Sequence, residues 1–334
     1  MSTSAPEHLS LSLGDGSAVL AFDVGGTDMK AAIVDDLGAI LDVVRVPTPI
    51  DGERTADAVV ARIGELAQEL LRSHPNVHPT AAGLLVPGHV DDESGVGVFS
   101  ENLGWSNYPF RDRAEAALGI PVSFSHDVRG AGEAEYRLGA AAPFRDVVVM
   151  AIGTGISGAI FIQGTLYPGG GMAGEMGHSK VADGPRCVCG GRGCLEAVAS
   201  AGAIARRYAQ VTGQVVSGAK DVLDRAAHGD VRAREIWESA LDALALDLSH
   251  TVALLAPEAI VIGGGLSQAG AALFEPLQER LDAILTFHRR PKLLCASIGE
   301  NAGVIGAALR ARDLVDEKTA APCDVVGRLP RITW

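Results

Sequence analysis

Long apolar runs are missing from this chain. No stretch approaches the roughly 20 residues that a bilayer-spanning helix needs, so no membrane partner is expected. The opening residues 1–17, MSTSAPEHLSLSLGDGS, lack a basic patch followed by an apolar segment and do not read as a secretory signal; they are expected to be a disordered leader. Positive charge is in deficit. Lys and Arg number 28 against 41 Asp and Glu, giving a net charge of −13, and the basic residues form no cluster. That excludes the electrostatic footprint of a nucleic-acid binder and fits a soluble, cytoplasmic protein. Aromatic residues make up only 4% of the chain, and there are only 5 cysteines in 334 residues. In a cytoplasmic protein, clustered cysteines point to a metal rather than to disulfides.

Small residues are plentiful. The 41 glycines show no collagen-like period, and 47% of the residues are hydrophobic, enough for a substantial core. AVLAFDVGGT (18–27) reads as a buried strand entering a Gly turn, and KAAIVDD and AILDVVRV as two further strands joined by DDLG. Residues 53–72 form a helix on the spacing of Ala56, Val59, Val60, Ile63, Leu66, Ala67 and Leu70. AAGLLVPG is a buried strand, a short helix covers 110–118, IPVSFSHD is a strand and 128–141 a helix. Then the pattern restarts: DVVVMAIGTGISGAIFI (146–162) repeats the strand, Gly turn and strand of residues 18–34. A helical region over 200–256 precedes strand AIVIGGG, a helix to 286, strand LLCASIG and a last helix over 302–313. Two similar halves of mixed strands and helices predict an α/β fold with internal duplication.

GTGISG (153–158) matches the dinucleotide pattern G-x-G-x-x-G, but the residues that follow, AIFIQG, are β-branched and aromatic and return as a strand. A dinucleotide fingerprint must open a helix, so that reading is rejected, and no G-x-x-x-x-G-K-[ST] loop is present either. Three Gly-rich turns remain, at Gly25-Gly26-Thr27, Gly153-Thr154-Gly155 and Gly263-Gly264-Gly265. Each alone reads best as a structural turn. Together, with hydroxyls on Thr27 and Thr154 and with Asp23 placed to hold a Mg²⁺-bound water, they point to phosphate binding through exposed backbone N–H groups. Lys30 is expected near the phosphates or in a salt bridge.

Three of the cysteines, Cys187, Cys189 and Cys194, fall in the stretch GEMGHSKVADGPRCVCGGRGCLE, with His178 just ahead. Cys₃His is a structural Zn²⁺ set, and Gly190, Gly191 and Gly193 let the chain fold back so that Cys194 meets the first two thiolates. Reduced core thiols are the alternative, which this spacing disfavours. Cys295 and Cys323 stand apart and read as a core thiol and a tail thiol.

DVGGTDMK, IGTGIS, GEMGH, CVCGGRGCLE, ENLGW, AIVIGGGLS and ENAGVIGAAL together resemble the ROK family of sugar kinases, over roughly residues 18–313. The resemblance implies a duplicated actin-like (ribonuclease H-like) fold, two lobes with a cleft between them. It divides the chain into a small lobe of residues 18–122 plus 300–315, a larger lobe of 123–299 carrying the zinc element, and a tail of 316–334. It implies ATP and Mg²⁺ as cosubstrate and cofactor, a structural Zn²⁺, a free sugar as acceptor, and a homodimer or homotetramer. The family also holds repressors with a helix-turn-helix domain, for which residues 1–17 are too few.

On the residues alone Asp127 reads as a proton acceptor at a strand end or, better, as a cap for the helix starting at Val128; the resemblance implies the catalytic base. It likewise places Asn102, Glu175, His178 and Glu196 at sugar contacts, where unaided reading gives a turn residue, a loop charge and a helix-capping acid for the first, second and fourth. His178 then serves both zinc and sugar through its two ring nitrogens. His126 departs from the family, which has Asn before the catalytic Asp, so the preferred sugar is open. The expected activity is ATP-dependent phosphorylation of a free hexose, glucose first, with the Gly263–Gly265 loop near adenosine. The alternatives are a kinase for an N-acetylated hexosamine, fructose, allose or mannose, and a sugar-binding sensor without catalysis.

Overall fold

The computed structural model describes residues 11–319. Residues 320–334 of the expected tail over 316–334, with Cys323, and residues 1–10 of the expected leader lie outside them.

The first Gly-interrupted apolar run folds as a hairpin. β1 (Val19–Val24) pairs antiparallel with β2 (Asp28–Val34), which pairs antiparallel with β3 (Ile40–Pro47). Asp35 closes the β2–β3 turn, its Oδ1 accepting from the amides of Leu37 and Ala39 at 3.1 and 2.7 Å. The helix α1 (Thr55–Ser73) then crosses over, and β4 (Ala81–Val86) returns parallel to β1. Every β4 residue is buried, as expected for a central strand covered on both faces. All seven α1 positions expected on one face are buried. Burying each of Val59, Ile63, Leu66 and Leu70 contributes about 1.5–3 kcal/mol relative to leaving it exposed.

A small antiparallel sheet of β5 (His89–Asp91), β6 (Val96–Ser100) and β7 (Trp105–Tyr108) follows, unforeseen in the sequence because its strands are only three to five residues long. After α2 (Phe110–Leu118), β8 (Val122–His126) joins β4 in parallel and completes the order β3-β2-β1-β4-β8. The expected lobe boundary at residue 123 therefore cuts through a strand of the first sheet. IPVSFSHD belongs with β4 because parallel pairing runs from Ala82–Val122 to Val86–His126.

α3 (Asp127–Leu138) leads to the second sheet, built of β9 (Val147–Ile152), β10 (Ile156–Ile162) and β11 (Thr165–Leu166). Its remaining strands are β12 (Ala259–Gly263) and β13 (Lys292–Cys295), and its order is β11-β10-β9-β12-β13. Two antiparallel and then two parallel pairings occur in each sheet, so the duplication read from the sequence is present in topology as well as in the Gly turns. Between β11 and β12 lie α4 (Leu195–Ala199), α5 (Ala201–Thr212), α6 (Ala219–Ala227) and α7 (Val231–Leu255); α8 (Ala271–Ile284) precedes β13. Ser200 caps α5 and Asp230 caps α7 through hydrogen bonds to the amides of Ala203, Arg232 and Ala233.

α9 (Ala302–Thr319) packs back on β1 and β4 and runs about two turns beyond the expected end at 313. α3 sits between α9 and the second sheet. A Cβ on Gly306 would overlap the Gly130 carbonyl oxygen, so the two helices approach at a distance only glycine allows. On its other side Tyr136 stacks on Phe161 of β10, ring centroids 4.2 Å apart. Residues 11–17, expected in the disordered leader, are ordered instead. Leu13 and Gly16 donate to the carbonyls of Gly38 and Asp36, both at 2.9 Å, and Arg312 of α9 donates to the Ser17 carbonyl at 3.0 Å. Leu11 and Leu13 supply the apolar contact that holds this segment against the α9 core.

Candidate active site

β8 passes into α3 without a loop, so His126 ends a buried strand and Asp127 begins a helix. This junction forms the floor of a cleft of about 700 Å³. Asn102, His126, Asp127, Glu175, His178 and Glu196 all line it, although they come from four separate segments of the chain. The two sheets thus bring together every residue expected to contact the sugar.

The helix begins at Asp127 rather than at Val128, and the capping role does not materialise. Its Oδ1 accepts from the adjacent Val128 amide, at 2.7 Å, and not from an amide two or three residues on. The carboxylate is 27% exposed, open to the cleft. Burial pushes its pKa up to about 6, partly offset by the Val128 amide and by the Arg129 guanidinium. His126 is buried, and its Nδ1 lies 3.3 Å from Asp127 Oδ1 without forming a hydrogen bond. Desolvation first, then the charge of Arg129, lowers the His126 pKa to about 4, so the ring is neutral at physiological pH with one donor and one acceptor.

Glu196, on α4, is oriented by the β9–β10 turn: its Oε2 accepts from the Ile156 amide at 2.9 Å. Gly153 and Gly155 of that turn line the cleft, as does Gly264 after β12. Thr154, Gly263 and Gly265 do not, and Thr154 faces solvent. Two amides of the turn are already engaged, Gly153 N with Gly155 O at 2.9 Å and Ile156 N with Glu196.

Gly25, Gly26 and Thr27 lie outside the cleft wall, in a β1–β2 turn closed by Gly25 N to Asp28 O at 2.9 Å. Asp23 is close behind Asp127. Burial first, and repulsion from Asp127 second, raises its pKa to about 7, while Lys30 opposes the rise. Lys30 stands directly across from Asp23 in the β1–β2 register. Of its two expected settings it takes the salt bridge, 3.5 Å from Glu300, and donates to the Glu300 carbonyl in the turn just before α9.

The Cys₃His cluster closes as the spacing requires. Cys187 Sγ is 3.6 Å from His178 Nδ1, Cys189 and Cys194 sulfurs are 3.6 Å apart, and the four ligand atoms all lie within 4.8 Å of one another. Zn–S bonds of about 2.3 Å in a tetrahedron place sulfurs roughly 3.8 Å apart, so the donor set fits zinc. A Cβ at Gly193 would overlap the Ala182 carbonyl, and its φ of 71° suits glycine, which is how Cys194 returns to the cluster. His178 presents Nδ1 to the sulfurs and Nε2 toward the cleft, 3.9 Å from Glu175.

Sequence reading missed His89, Phe99 and Met172, which also line the cleft, and the buried Arg129 beneath it. An arginine two residues after Asp127, followed directly by the small residues Gly130, Ala131 and Gly132, was the available signal.

A family model described as ROK matches residues 19–313. A glucokinase of Thermotoga maritima is 33% identical over 308 residues, 87% of this chain and 96% of that protein. An N-acetylmannosamine kinase of Escherichia fergusonii is 32% identical over 300 residues, 88% of this chain and 98% of that protein. A solved ROK family glucokinase from Streptomyces griseus, in complex with glucose and AMPPNP, is 31% identical and superposes with a TM-score of 0.75 over 89% of this chain and 100% of that one. The two like-ordered sheets are thus the halves of an actin-like, two-lobed fold, and this chain belongs to the ROK family.

Proposed function

We propose that this protein transfers the γ-phosphoryl group of ATP to a hydroxyl of a free hexose, with glucose as the first candidate acceptor. The observation that carries the reading is Asp127: a carboxylate at the cleft floor, poised by burial near pH 6, among four polar side chains able to hold sugar hydroxyls. Asn102, Glu175, His178 and Glu196 position the sugar, and Asp127 Oδ accepts the proton of the hydroxyl that is phosphorylated. Neutral His126 offers a neighbouring hydroxyl one donor and one acceptor. Closure of the lobes excludes water, which would otherwise compete as acceptor. Mg²⁺, held through Asp23 and the phosphates, would neutralise charge developing on the transferred group. Zinc on His178, Cys187, Cys189 and Cys194 would be structural, since four protein ligands fill a tetrahedral shell, and it would fix the ring whose Nε2 faces the sugar.

A second acceptor class has its own support. Phe99, Met172 and Val188 are exposed at 50%, 58% and 79% while lining the cleft, an apolar wall suited to an acyl methyl group. An N-acetylated hexosamine therefore belongs in the test. ADP release with Mg-ATP is measured across free hexoses and N-acetylhexosamines, with Asp127→Asn alongside. Turnover on one sugar that the variant loses supports the proposal and names the acceptor; saturable sugar binding without turnover on any of them replaces the kinase by a sensor.

A further inference from the structure

Asp92 lies in the turn between β5 and β6, outside every motif read from the sequence. Its carboxylate has two principal partners. Oδ2 accepts from Ser125 Oγ at 2.7 Å, and Oδ1 accepts from Arg129 Nη2 at 2.7 Å. Ser125 stands two residues before Asp127 and Arg129 two residues after it. One carboxylate therefore spans the strand-to-helix junction that presents His126 and Asp127 to the cleft.

Arg129 is 1% exposed. Its second amino group, Nη1, donates to the Gly171 carbonyl at 3.2 Å, on a segment that follows the second sheet's hairpin. Arg310 of α9 approaches Asp92 Oδ2 at 3.6 Å and pairs with Glu133 at 2.7 Å. The network thus reaches from the small sheet through α3 and α9 to the other lobe. As a purely stabilising device it is poorly chosen. Desolvating a guanidinium and a carboxylate costs several kcal/mol per ion, and apolar residues of similar volume commonly hold a core as well or better. What ions provide and apolar contacts do not is fixed direction and a fixed charge beside a reacting group.

We propose that Asp92 is a positioning residue for Asp127, bracketing the β8–α3 junction through Ser125 and Arg129 and fixing the guanidinium charge beside the base. The proposal rests on Asp127 being that base. The groups that act on Asp127 are Asp23 on β1 and Arg129 on α3, with His126 adjoining on β8. Lys30 on β2 acts through Asp23; Arg129 and Asp92 themselves, with His89 on β5 and Glu175 in the second lobe, also act on His126. Arg129 opposes the upward shift of Asp127, so removing its charge and removing its counter-ion should move the base in opposite directions.

The test uses the full chain with its best sugar and compares wild type with Asp92→Asn, Asp92→Glu, Arg129→Met, Arg129→Lys and Asp127→Asn, each checked for folding by its melting temperature. The readouts are kcat, sugar KM and the pH profile of kcat/KM. In Asp92→Asn, kcat should fall roughly tenfold or more with KM changed less than about twofold, because the base is misaimed rather than the sugar unbound. The acid limb of the same variant should move down by about half a pH unit, since Arg129 is no longer countered. Arg129→Met should move the limb up; Arg129→Lys should lower kcat with the limb in place; Asp92→Glu should restore the limb. If Arg129→Met does not fold, the Asp92→Asn and Arg129→Lys pair carries the comparison. A folded Asp92→Asn with wild-type kcat and acid limb overturns the proposal alone, provided Asp127→Asn is inactive, and so do limb shifts of the same sign in the Asp92 and Arg129 variants. Turnover retained by Asp127→Asn overturns the base assignment and the proposal with it.

Discussion

β8 and β13 occupy the same place in their two sheets, each the last strand and parallel to its neighbour, yet they end differently. Four of the five β8 residues are buried, and the strand delivers His126 and Asp127 to the cleft. β13 has no fully buried residue and ends at an exposed Cys295. The duplicated scaffold places a strand end at both positions; what covers the strand decides whether a carboxylate there becomes a tuned base. Over β8 lie the small three-stranded sheet, α2, α3 and α9, and burial raises the pKa of Asp127 at the strand's end. A repeated topology supplies positions, and what packs over each strand end decides its chemistry.

The sharpest way to break this contrast is to remove the side chain from each strand end in turn. Asp127→Asn should lower kcat by about 10²–10⁴, the usual range for a general base, while Cys295→Ser leaves kcat within about twofold; steady-state ADP release measures both. Equal effects would dissolve the asymmetry. The next effect concerns the zinc element, an insertion without counterpart in the first half. Cys194→Ser should abolish stoichiometric zinc binding and raise the sugar KM by about 10–100-fold through the freed His178 ring; metal analysis and KM together check it. A zinc-free variant with unchanged KM would separate the metal from the sugar site.

Smaller effects test how the halves are joined. Gly306→Ala forces a methyl into the Gly130 carbonyl and should cost about 1–3 kcal/mol, read as a lower midpoint in chemical denaturation, with the two sheets losing cooperativity. The smallest effect is on stability against pH. The folded Asp127 pKa lies near 6, above its ordinary 3.8, so the folded state binds the extra proton between those values. Stability contributed there is present at low pH and lost as pH rises toward 6, and the ionised carboxylate remains a burden above it. Asp127→Asn should therefore be more stable than wild type by about 1–2 kcal/mol at pH 8, with the gain vanishing near pH 4; paired melting curves decide it.

Much of the scaffold was readable because it obeys short periods. The α1 stripe, the twin Gly-interrupted hairpins and the Cys-x-Cys with its following glycines are local patterns, and each folds as its spacing predicts. What escaped was non-local. Asp92 and Gly171 are each separated by more than thirty residues from Ser125 and Arg129, and no window of sequence shows that a fold will join them. β5, β6 and β7 are too short for alternation to declare itself. The placement of β8 with β4 was missed for a related reason, since parallel pairing is set by crossovers rather than by any turn signal.

α9 has a consequence for how the chain is made. Its Val304, Ala307, Ala308 and Ala311 complete the core over Val19, Ala21, Ala32 and Val34, which are among the first residues of the fold to leave the ribosome. During translation that face of the first sheet stays bare until some 270 further residues have emerged, whereas the second sheet has most of its covering helices close at hand in the sequence. The half synthesised first is thus the half finished last, and a nascent chain halted before residue 302 would expose an apolar sheet face for a chaperone, or for another such chain, to cover.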